Sequence, residues 1–184
     1  MSAQIKHPPT MRAIQVKQWG GADQLQLADV PLPSPLPTEI RVKMMAAGVN
    51  PVDVYTREGL AYMKALTLPH IPGWDAAGIV EAVGYGVTRF KEGDRVFGMP
   101  WFPRAGSTYA EYVVAPASHF AAMPANLGFV DAAALPLAGL TAWQMLVNVG
   151  QVTAGMRVLI NGAAGGVGHL AVQIAKARGA YVVA

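Results

Sequence analysis

Three glycines at regular spacing lie between a short apolar run and a helical pattern, in the segment NGAAGGVG at Asn161–Gly168. Gly162 permits a sharp turn off a strand, and Gly168 permits a helix to pack close to that strand. Gly165 and its neighbour Gly166 let the backbone approach a pyrophosphate. The helix N-terminus then offers N–H groups and a partial positive charge to it. The context predicts dinucleotide binding, with a packing turn as the alternative. The predicted cofactor-binding residues of this loop are Gly162, Gly165, Gly166, Val167 and Gly168.

The elements around this loop predict a β-α-β unit. Arg157–Ile160 is a short apolar strand pattern, His169–Arg178 is helical, and Gly179 is placed to end that helix. Tyr181–Ala184 begins another strand. Parallel strands need helices on both faces and neighbours in the sheet. We therefore expect the chain to be part of a longer protein of roughly 300 residues.

The first part of the chain has the pattern of a β-rich domain. Short alternating segments separated by Gly and Pro predict an open barrel or sandwich. After Pro124 the pattern turns helical, with segments at Asp131–Leu135, capped by Asp131, and at Leu140–Val149. We therefore predict one domain over residues 1–127 and the start of a second over 128–184. The predicted strands are Arg12–Lys17, Leu25–Val30, Glu39–Ala46, Ala76–Val83, Asp94–Phe97 and Ala110–Val114.

Composition narrows the possible functions. The chain is 53% apolar, carries a net charge of +3 without a basic run and has no cysteine. These features disfavour disorder and nucleic-acid binding, and they exclude disulfides and thiolate chemistry. The longest apolar stretch is interrupted by polar residues, and the start MSAQIKHPPT lacks an apolar core, so we expect no membrane association and a cytoplasmic protein. The histidines share no metal-like spacing and are interpreted as surface or packing residues: His7, His70, His119 and His169.

Five sequence blocks in order resemble a known family. Together they resemble the zinc-free medium-chain dehydrogenase/reductases of the quinone oxidoreductase, or zeta-crystallin-like, family. The resemblance implies an α/β protein, with a GroES-like β domain followed by the first part of a doubly wound Rossmann domain. The blocks are AAGVNPVDVYTREG at Ala46–Gly59, HIPGWDAAGIVEAVGYGVTRFKEGDRV at His70–Val96, GSTYAEYVVAP at Gly106–Pro116, LPLAGLTAW at Leu135–Trp143, and the glycine loop.

The same resemblance identifies a departure in the metal site. Zinc-dependent relatives carry Cys where this chain has Asn50, and His–Glu where it has Trp74 and Asp75. Tryptophan does not bind zinc and asparagine binds it poorly. We therefore expect no catalytic metal. Hydride transfer to an already polarised acceptor is the reaction that remains easy.

The resemblance implies an NAD(P)H-dependent reductase of quinones or α,β-unsaturated carbonyls. NADPH is the expected cofactor and NADH the alternative, and a homodimer is expected. Two other functions stay open. One is an enoyl-thioester reductase of the same superfamily, and the other is a non-catalytic nucleotide-binding redox sensor or scaffold.

The resemblance also assigns individual residues. Asn50 is expected to contact the nicotinamide or the substrate, although its position also suits a turn residue. Tyr55 is expected to face the substrate, with a packed core aromatic as the equal alternative. Thr141 is expected to bind the nicotinamide side of the cofactor, although it also suits a helix start. Asp53, which by pattern alone is an exposed turn or cap residue, is expected to make a structural hydrogen bond. Tyr62 is a weaker substrate candidate, because it is one residue out of step with the family pattern.

Overall fold

The computed structural model describes residues 9–184, in which two compact units follow one another along the sequence. The first ends at Ala134 and the second comprises Leu135–Ala184. The domain boundary expected after residue 127 stays a prediction. His7 and the rest of the first eight residues, on which the interpretation of the chain start depends, lie outside the described residues.

The first unit is mainly antiparallel β structure, which confirms the predicted β-rich character. Strands β1 and β2 pair with each other, and the others form a five-stranded antiparallel sheet in the order β6-β3-β4-β5-β7. The sheet encloses a core of buried apolar side chains that includes Ile40, Val42, Val80, Val96, Val113 and Phe120. The strands are β1 (Thr10–Gln15), β2 (Gln26–Pro31), β3 (Glu39–Gly48), β4 (Asp75–Val83), β5 (Arg95–Gly98), β6 (Tyr112–Pro116) and β7 (Phe120–Ala122).

One helix of this unit is absent from the sequence-based assignment. Helix α1, Pro51–Arg57, follows β3 directly and begins with proline at its first position. Proline suits that position because its fixed φ is helical and its missing N–H would have no partner there. Short 3₁₀ turns lie at Ala22–Gln24, Met63–Ala65 and Ala117–His119.

The predicted starts of the two helices that follow Pro124 were wrong. Helix α2 spans Phe129–Ala133 and is capped by Gly128, so Asp131 lies inside the helix and is not its cap. Asp131 still favours the helix, because a carboxylate in the first turn opposes the positive end of the helix dipole. Helix α3 spans Pro136–Trp143, starting four residues before the predicted Leu140, again from a proline at the first position.

The chain then changes from α-helical to π-helical hydrogen bonding over Gln144–Val149. The N–H of Gly150 donates to the carbonyl of Met145, five residues back, at 2.9 Å. The predicted helix Leu140–Val149 is therefore part of one continuous helical segment, which is α-helical up to Trp143 and π-helical from Gln144. This segment begins earlier than expected.

The second unit ends in the predicted β-α-β arrangement. Strands β8 (Arg157–Leu159) and β9 (Tyr181–Val183) pair in parallel, and helix α4 (Gly166–Ala177) connects them. Gly179 follows the helix with φ +80°, as expected for a residue that ends a helix. The start predicted at His169 was wrong, because the helix begins inside the glycine loop. Among residues 9–184, no helix has the length and apolar character needed to cross a membrane.

Candidate active site

The side-chain amide of Asn50 is anchored to a buried carboxylate. The pairing of β3 with β4 places Gly48 opposite Asp75, and Asn50 follows two residues later. Nδ2 of Asn50 donates to Oδ2 of Asp75 at 2.8 Å, and Asp75 is only 1% exposed. A Cβ on Gly48 would lie 2.7 Å from the Asp75 Cβ and 2.6 Å from the carbonyl oxygen of Ala133. Strand register and this glycine therefore set the direction of the Asn50 amide.

Asp53 holds the start of helix α1 and is not an exposed residue. It is 6% exposed, and its Oδ2 accepts hydrogen bonds from the Asn50 backbone N–H at 2.7 Å and the Tyr109 hydroxyl at 2.9 Å. Burial raises the pKa of this carboxyl, and the two hydrogen bonds partly oppose that rise. Asp53 therefore has the structural hydrogen bonds implied by the family resemblance, and the exposed-turn interpretation was wrong.

Tyr109 is a member of this network that the sequence interpretation missed. Its pKa is raised by burial and by the negative charge of Asp53, so its hydroxyl stays protonated and donates. Its backbone N–H donates to the carbonyl of Pro72 at 3.1 Å. Gly73, at φ +92°, leaves no room for a Cβ, which would collide with the side chains of Thr108 and Tyr109. The only available signal was that these residues lie within the family-like blocks.

Trp74 is a packing residue. It is 2% exposed, and its indole N–H donates to the carbonyl of Arg104 at 2.6 Å. Its ring makes edge contacts with Tyr62 and Phe102. No group of three or more His, Cys, Asp or Glu side chains in the described part of the chain is arranged to hold a metal ion.

Tyr55 and Tyr62 lie at the surface of the first unit. Tyr55, on α1, is 53% exposed, so the alternative of a packed core aromatic was wrong. Within residues 9–184 the Tyr55 hydroxyl makes no hydrogen bond and is free to donate to a ligand. Tyr62 has left-handed backbone geometry, with φ 52°, and packs against Trp74 and Phe102. Its ring contacts account for its position without a ligand.

The glycine loop closes on itself before α4 begins. The Gly165 N–H donates to the Gly162 carbonyl at 2.9 Å, and Gly162 has φ +69°. A Cβ on Gly168 would collide with that same carbonyl and lie 2.8 Å from the Ala163 Cα, so Gly168 packs against the turn. A Cβ on Gly166, in contrast, would meet nothing within 4 Å. The loop is thus tightly packed at Gly168 and open at Gly166.

The start of α4 has free hydrogen-bonding capacity. Gly165 is its N-cap and has extended backbone geometry, and no side chain caps the first amides. The Gly165 carbonyl accepts from the His169 backbone N–H at 3.0 Å, and His169 Nδ1 lies 2.9 Å from the same oxygen. Because a carbonyl only accepts, Nδ1 carries the proton in this contact. His169 therefore braces the loop, and Val167 packs into the core of the second unit.

Thr141 lies within α3 and not at its start. Its Oγ1 donates to the carbonyl of Leu137 at 2.7 Å, four residues back in the helix. The hydroxyl proton is thereby used, and the oxygen lone pairs remain available to accept from a ligand.

A groove of about 650 Å³ in the first unit does not include Asn50, Tyr55 or Asp75. It is lined by apolar side chains such as Leu66 and Trp101, together with His70. None of the residues that line the groove belongs to the hydrogen-bonded cluster of Asn50, Asp53, Asp75 and Tyr109.

Comparison with known proteins shows which family the chain resembles. Residues 36–125 match the alcohol dehydrogenase GroES-like domain. The chain is 42% identical to quinone oxidoreductase of Rattus norvegicus and 45% identical to that of Sus scrofa, over 94% of this chain and 52% of each relative. The structure of the quinone oxidoreductase from Coxiella burnetii superposes with a TM-score of 0.87 at 41% identity, over 95% of this chain and 56% of that one. Over almost its whole length the chain is similar to quinone oxidoreductases of the medium-chain reductase group.

Reductases with other names are also similar to this chain. It is 38% identical to 2-methylene-furan-3-one reductase of Solanum lycopersicum, over 95% of this chain and 46% of that protein. A mycobacterial protein complexed with NADPH superposes with a TM-score of 0.82 at 39% identity, over 94% of this chain and 52% of that one. The CurK enoyl reductase gives 0.83 at 31% identity, over 95% and 53%. The chain spans about half the length of the curated relatives it matches.

The domain match and the structural similarity confirm the expected fold class, in which a GroES-like domain precedes a partial Rossmann-like unit. The roles of Asn50, Tyr55, Thr141 and the loop residues in catalysis and cofactor binding stay predictions.

Proposed function

We propose that the complete protein containing this chain transfers hydride from NADPH to quinones or α,β-unsaturated carbonyls without a catalytic metal, with NADH as the alternative donor. The observation that carries the proposal is the Asn50–Asp75 pair beside the buried Trp74, at the positions where zinc-dependent relatives have their ligands. An amide bound to a carboxylate and a buried indole make a poor zinc site. Similarity to proteins named quinone oxidoreductase supports the same proposal.

The glycine loop fits the phosphates of a dinucleotide. Its open middle at Gly166 would admit a pyrophosphate, and the uncapped amides at the start of α4 would donate to it. The backbone of Gly162 and of Gly165–Gly168 would hold the phosphates, and Thr141 and Asn50 would contact the nicotinamide. The bound nicotinamide would supply the hydride.

The residues of this chain would then stabilise the charge that develops on the acceptor. Hydride addition to an enone carbon moves negative charge onto the carbonyl oxygen, and a proton must follow at the neighbouring carbon. Tyr55 is suited to donate to that oxygen because its hydroxyl is half-exposed and unbonded within residues 9–184. Asp53 and Tyr109 stabilise the helix that carries Tyr55.

The test is turnover of the complete protein with NADPH and with NADH, using a benzoquinone and a simple enone, before and after dialysis against a chelator. We expect NADPH turnover that survives dialysis. Activity that disappears on dialysis and returns with zinc would exclude the metal-free mechanism. Nucleotide binding without turnover of any acceptor would instead support a sensor or scaffold.

Tyr55→Phe tests the proposed donor. Loss of one hydrogen bond to a developing oxyanion costs about 1–3 kcal/mol in the transition state. We expect kcat/KM for the enone to fall by the factor that corresponds to this free energy. The kcat/KM for the quinone should fall less, because a phenolate product is intrinsically stable. A small, equal effect on both acceptors would mean that Tyr55 has no role in the reaction.

Enoyl-thioester reduction is the second candidate, favoured by the structural similarity to the CurK enoyl reductase. Crotonyl-CoA distinguishes the two functions. If kcat/KM with crotonyl-CoA exceeds that with quinone and enone, the thioester is the better assignment.

We further propose that the protein forms a homodimer in the cytoplasm and binds small molecules, without nucleic-acid or membrane partners. The family resemblance supports the dimer, and the absence of cysteine agrees with a reducing compartment. Light scattering of the complete protein tests the dimer, and a monomer at micromolar concentration would refute it.

A further inference from the structure

The groove of about 650 Å³ in the first unit has the size of a ligand site. Sites that bind small molecules usually have volumes of about 300–1,000 Å³. All of the described lining residues belong to the first unit, and most of them are apolar. They come from β1, β2 and β6, from the segment 65–71 and from the loop 101–107, and they include Met11, Val30, Leu66, Ile71, Trp101 and Val113.

One charge lies in this apolar lining. Arg104 is the only described lining residue that is charged at neutral pH, because no carboxylate lines the groove and burial lowers the pKa of the His70 imidazole. The guanidinium is exposed, and among residues 9–184 it makes no ion pair. It lies 5.7 Å from the centre of the Trp101 ring, which also lines the groove. A group that pairs with Arg104 would therefore lie next to apolar surface.

The loop that carries Arg104 is fixed through its backbone. The Arg104 carbonyl accepts a hydrogen bond from the Trp74 indole N–H at 2.6 Å, and the Arg104 N–H donates to the Trp101 carbonyl at 2.8 Å. Trp101 and Ser107 have left-handed backbone geometry, with φ 61° and 57°, which is strained for residues other than glycine. Strained residues of this kind cluster at sites that hold ligands. The loop thus presents an unpaired cation from a defined position.

We propose that this groove binds an amphipathic anion, a ligand with an extended apolar body and one anionic head group that pairs with Arg104. Charge complementarity selects this occupant, because a neutral ligand gains nothing from the guanidinium and a cation is repelled by it. Carboxylate and phosphate heads both match the parallel N–H groups of a guanidinium, so fatty carboxylates and alkyl phosphates share the required chemistry. The inference is independent of the proposed function, because the groove includes none of Asn50, Tyr55 and Asp75.

The experiment measures binding of decanoate, decyl phosphate and 1-decanol to the complete protein by calorimetry, at concentrations below those at which the probes aggregate. In Arg104→Gln the side chain keeps its polarity and loses its charge. We expect this variant to bind both anions about fivefold more weakly than the parent, the upper range for an ion pair that stays in contact with water. Its affinity for decanol should be unchanged. The anion that the parent binds more tightly identifies the preferred head group.

Two further variants separate charge, apolar contact and folding. Arg89→Gln is the matched control, because Arg89 is also exposed, lies 5.2 Å from the centre of the Phe90 ring and makes no ion pair among residues 9–184, yet does not line the groove. It should bind all three probes like the parent. Leu66→Asn places an amide in the apolar lining and should weaken the anions and decanol by the same factor. Thermal melts of every variant report stability separately.

Competition shows whether the groove is separate from the proposed active site. We expect decanoate to bind equally tightly when NADP⁺ and the enone are present, and displacement by either would mean that decanoate occupies the proposed active site. Dissociation of the dimer by decanoate would assign the groove to a second copy of the chain, and binding that appears only after deletion of residues 1–8 would assign it to the start of the chain. Each of these results would overturn the proposal, as would a parent that binds neither anion or an Arg104→Gln variant that binds both as tightly as the parent. Turnover of the enone judges the proposed function separately.

Discussion

Two glycines of the loop, Gly166 and Gly168, lie two residues apart in α4, and alanine should affect them in opposite ways. A Cβ at Gly168 would collide with the Gly162 carbonyl and lie 2.8 Å from the Ala163 Cα. Both are backbone atoms of the turn, so no flexible side chain can move aside. A Cβ at Gly166 would have no neighbour within 4 Å.

Both substitutions increase helix propensity, and only Gly168→Ala adds a steric clash. Replacing a helical glycine by alanine stabilises by up to about 1 kcal/mol through helix propensity. Overpacking against a fixed backbone costs about 1–3 kcal/mol, and this applies to Gly168→Ala alone. We therefore expect Gly166→Ala to be neutral or stabilised by up to about 1 kcal/mol, and Gly168→Ala to be destabilised by about 1–2 kcal/mol. The difference corresponds to several degrees in Tm.

Gly166→Ala, which should leave the fold stable, should nevertheless weaken cofactor binding. Its Cβ would enter the open middle of the loop, where the pyrophosphate is proposed to lie, so NADPH affinity should fall by about tenfold or more. Urea unfolding and NADPH titration on the same samples give both quantities. The reasoning is refuted if Gly166→Ala destabilises as much as Gly168→Ala, or if Gly166→Ala binds NADPH as tightly as the parent.

Three further predictions follow from the site and its surroundings. Gly165→Asp should abolish NADPH binding, because its carboxylate would repel the phosphates. A Cβ at this position would lie 3.2 Å from the Gly162 carbonyl oxygen, a cost that the N-cap preference of aspartate opposes. Gly165→Asn has the same shape without the charge and should bind NADPH more tightly than the aspartate variant, and equal binding by the two would argue against a phosphate there. Elemental analysis after chelator dialysis should find no zinc, since Asn50 and Trp74 are engaged within the protein, and about one zinc per chain would contradict this. Burial lowers the pKa of His70 below its ordinary 6.5, so the stability that the neutral imidazole contributes is present above that value and is lost as pH falls below it. The free energy of unfolding should therefore decrease less between about pH 7 and about pH 5.5 in His70→Phe than in the parent. An equal decrease in both proteins would refute a lowered pKa for His70.

Local pattern predicted the secondary structure where the pattern was strong. The β-rich first part, the β-α-β unit and the helix-ending Gly179 were all expected and observed, because strand alternation and glycine conformations are properties of short segments. The errors lie at helix starts. Helix α3 begins at Pro136 and helix α4 is capped by Gly165. Proline and glycine usually interrupt helices, and whether either one begins a helix instead depends on the residues that follow it.

The sequence alone determined the family resemblance, the absence of cysteine chemistry and the position of the glycine loop, since these depend on residue identity and spacing. Only the tertiary structure decided that the Asn50 amide donates to Asp75, because strand register brings Asp75 opposite Gly48 across 27 residues of chain. It likewise decided that Asp53 is buried against Tyr109 and that Tyr55 is exposed. Hydrogen-bond direction and burial are properties of pairs of distant segments, and no local pattern contains them.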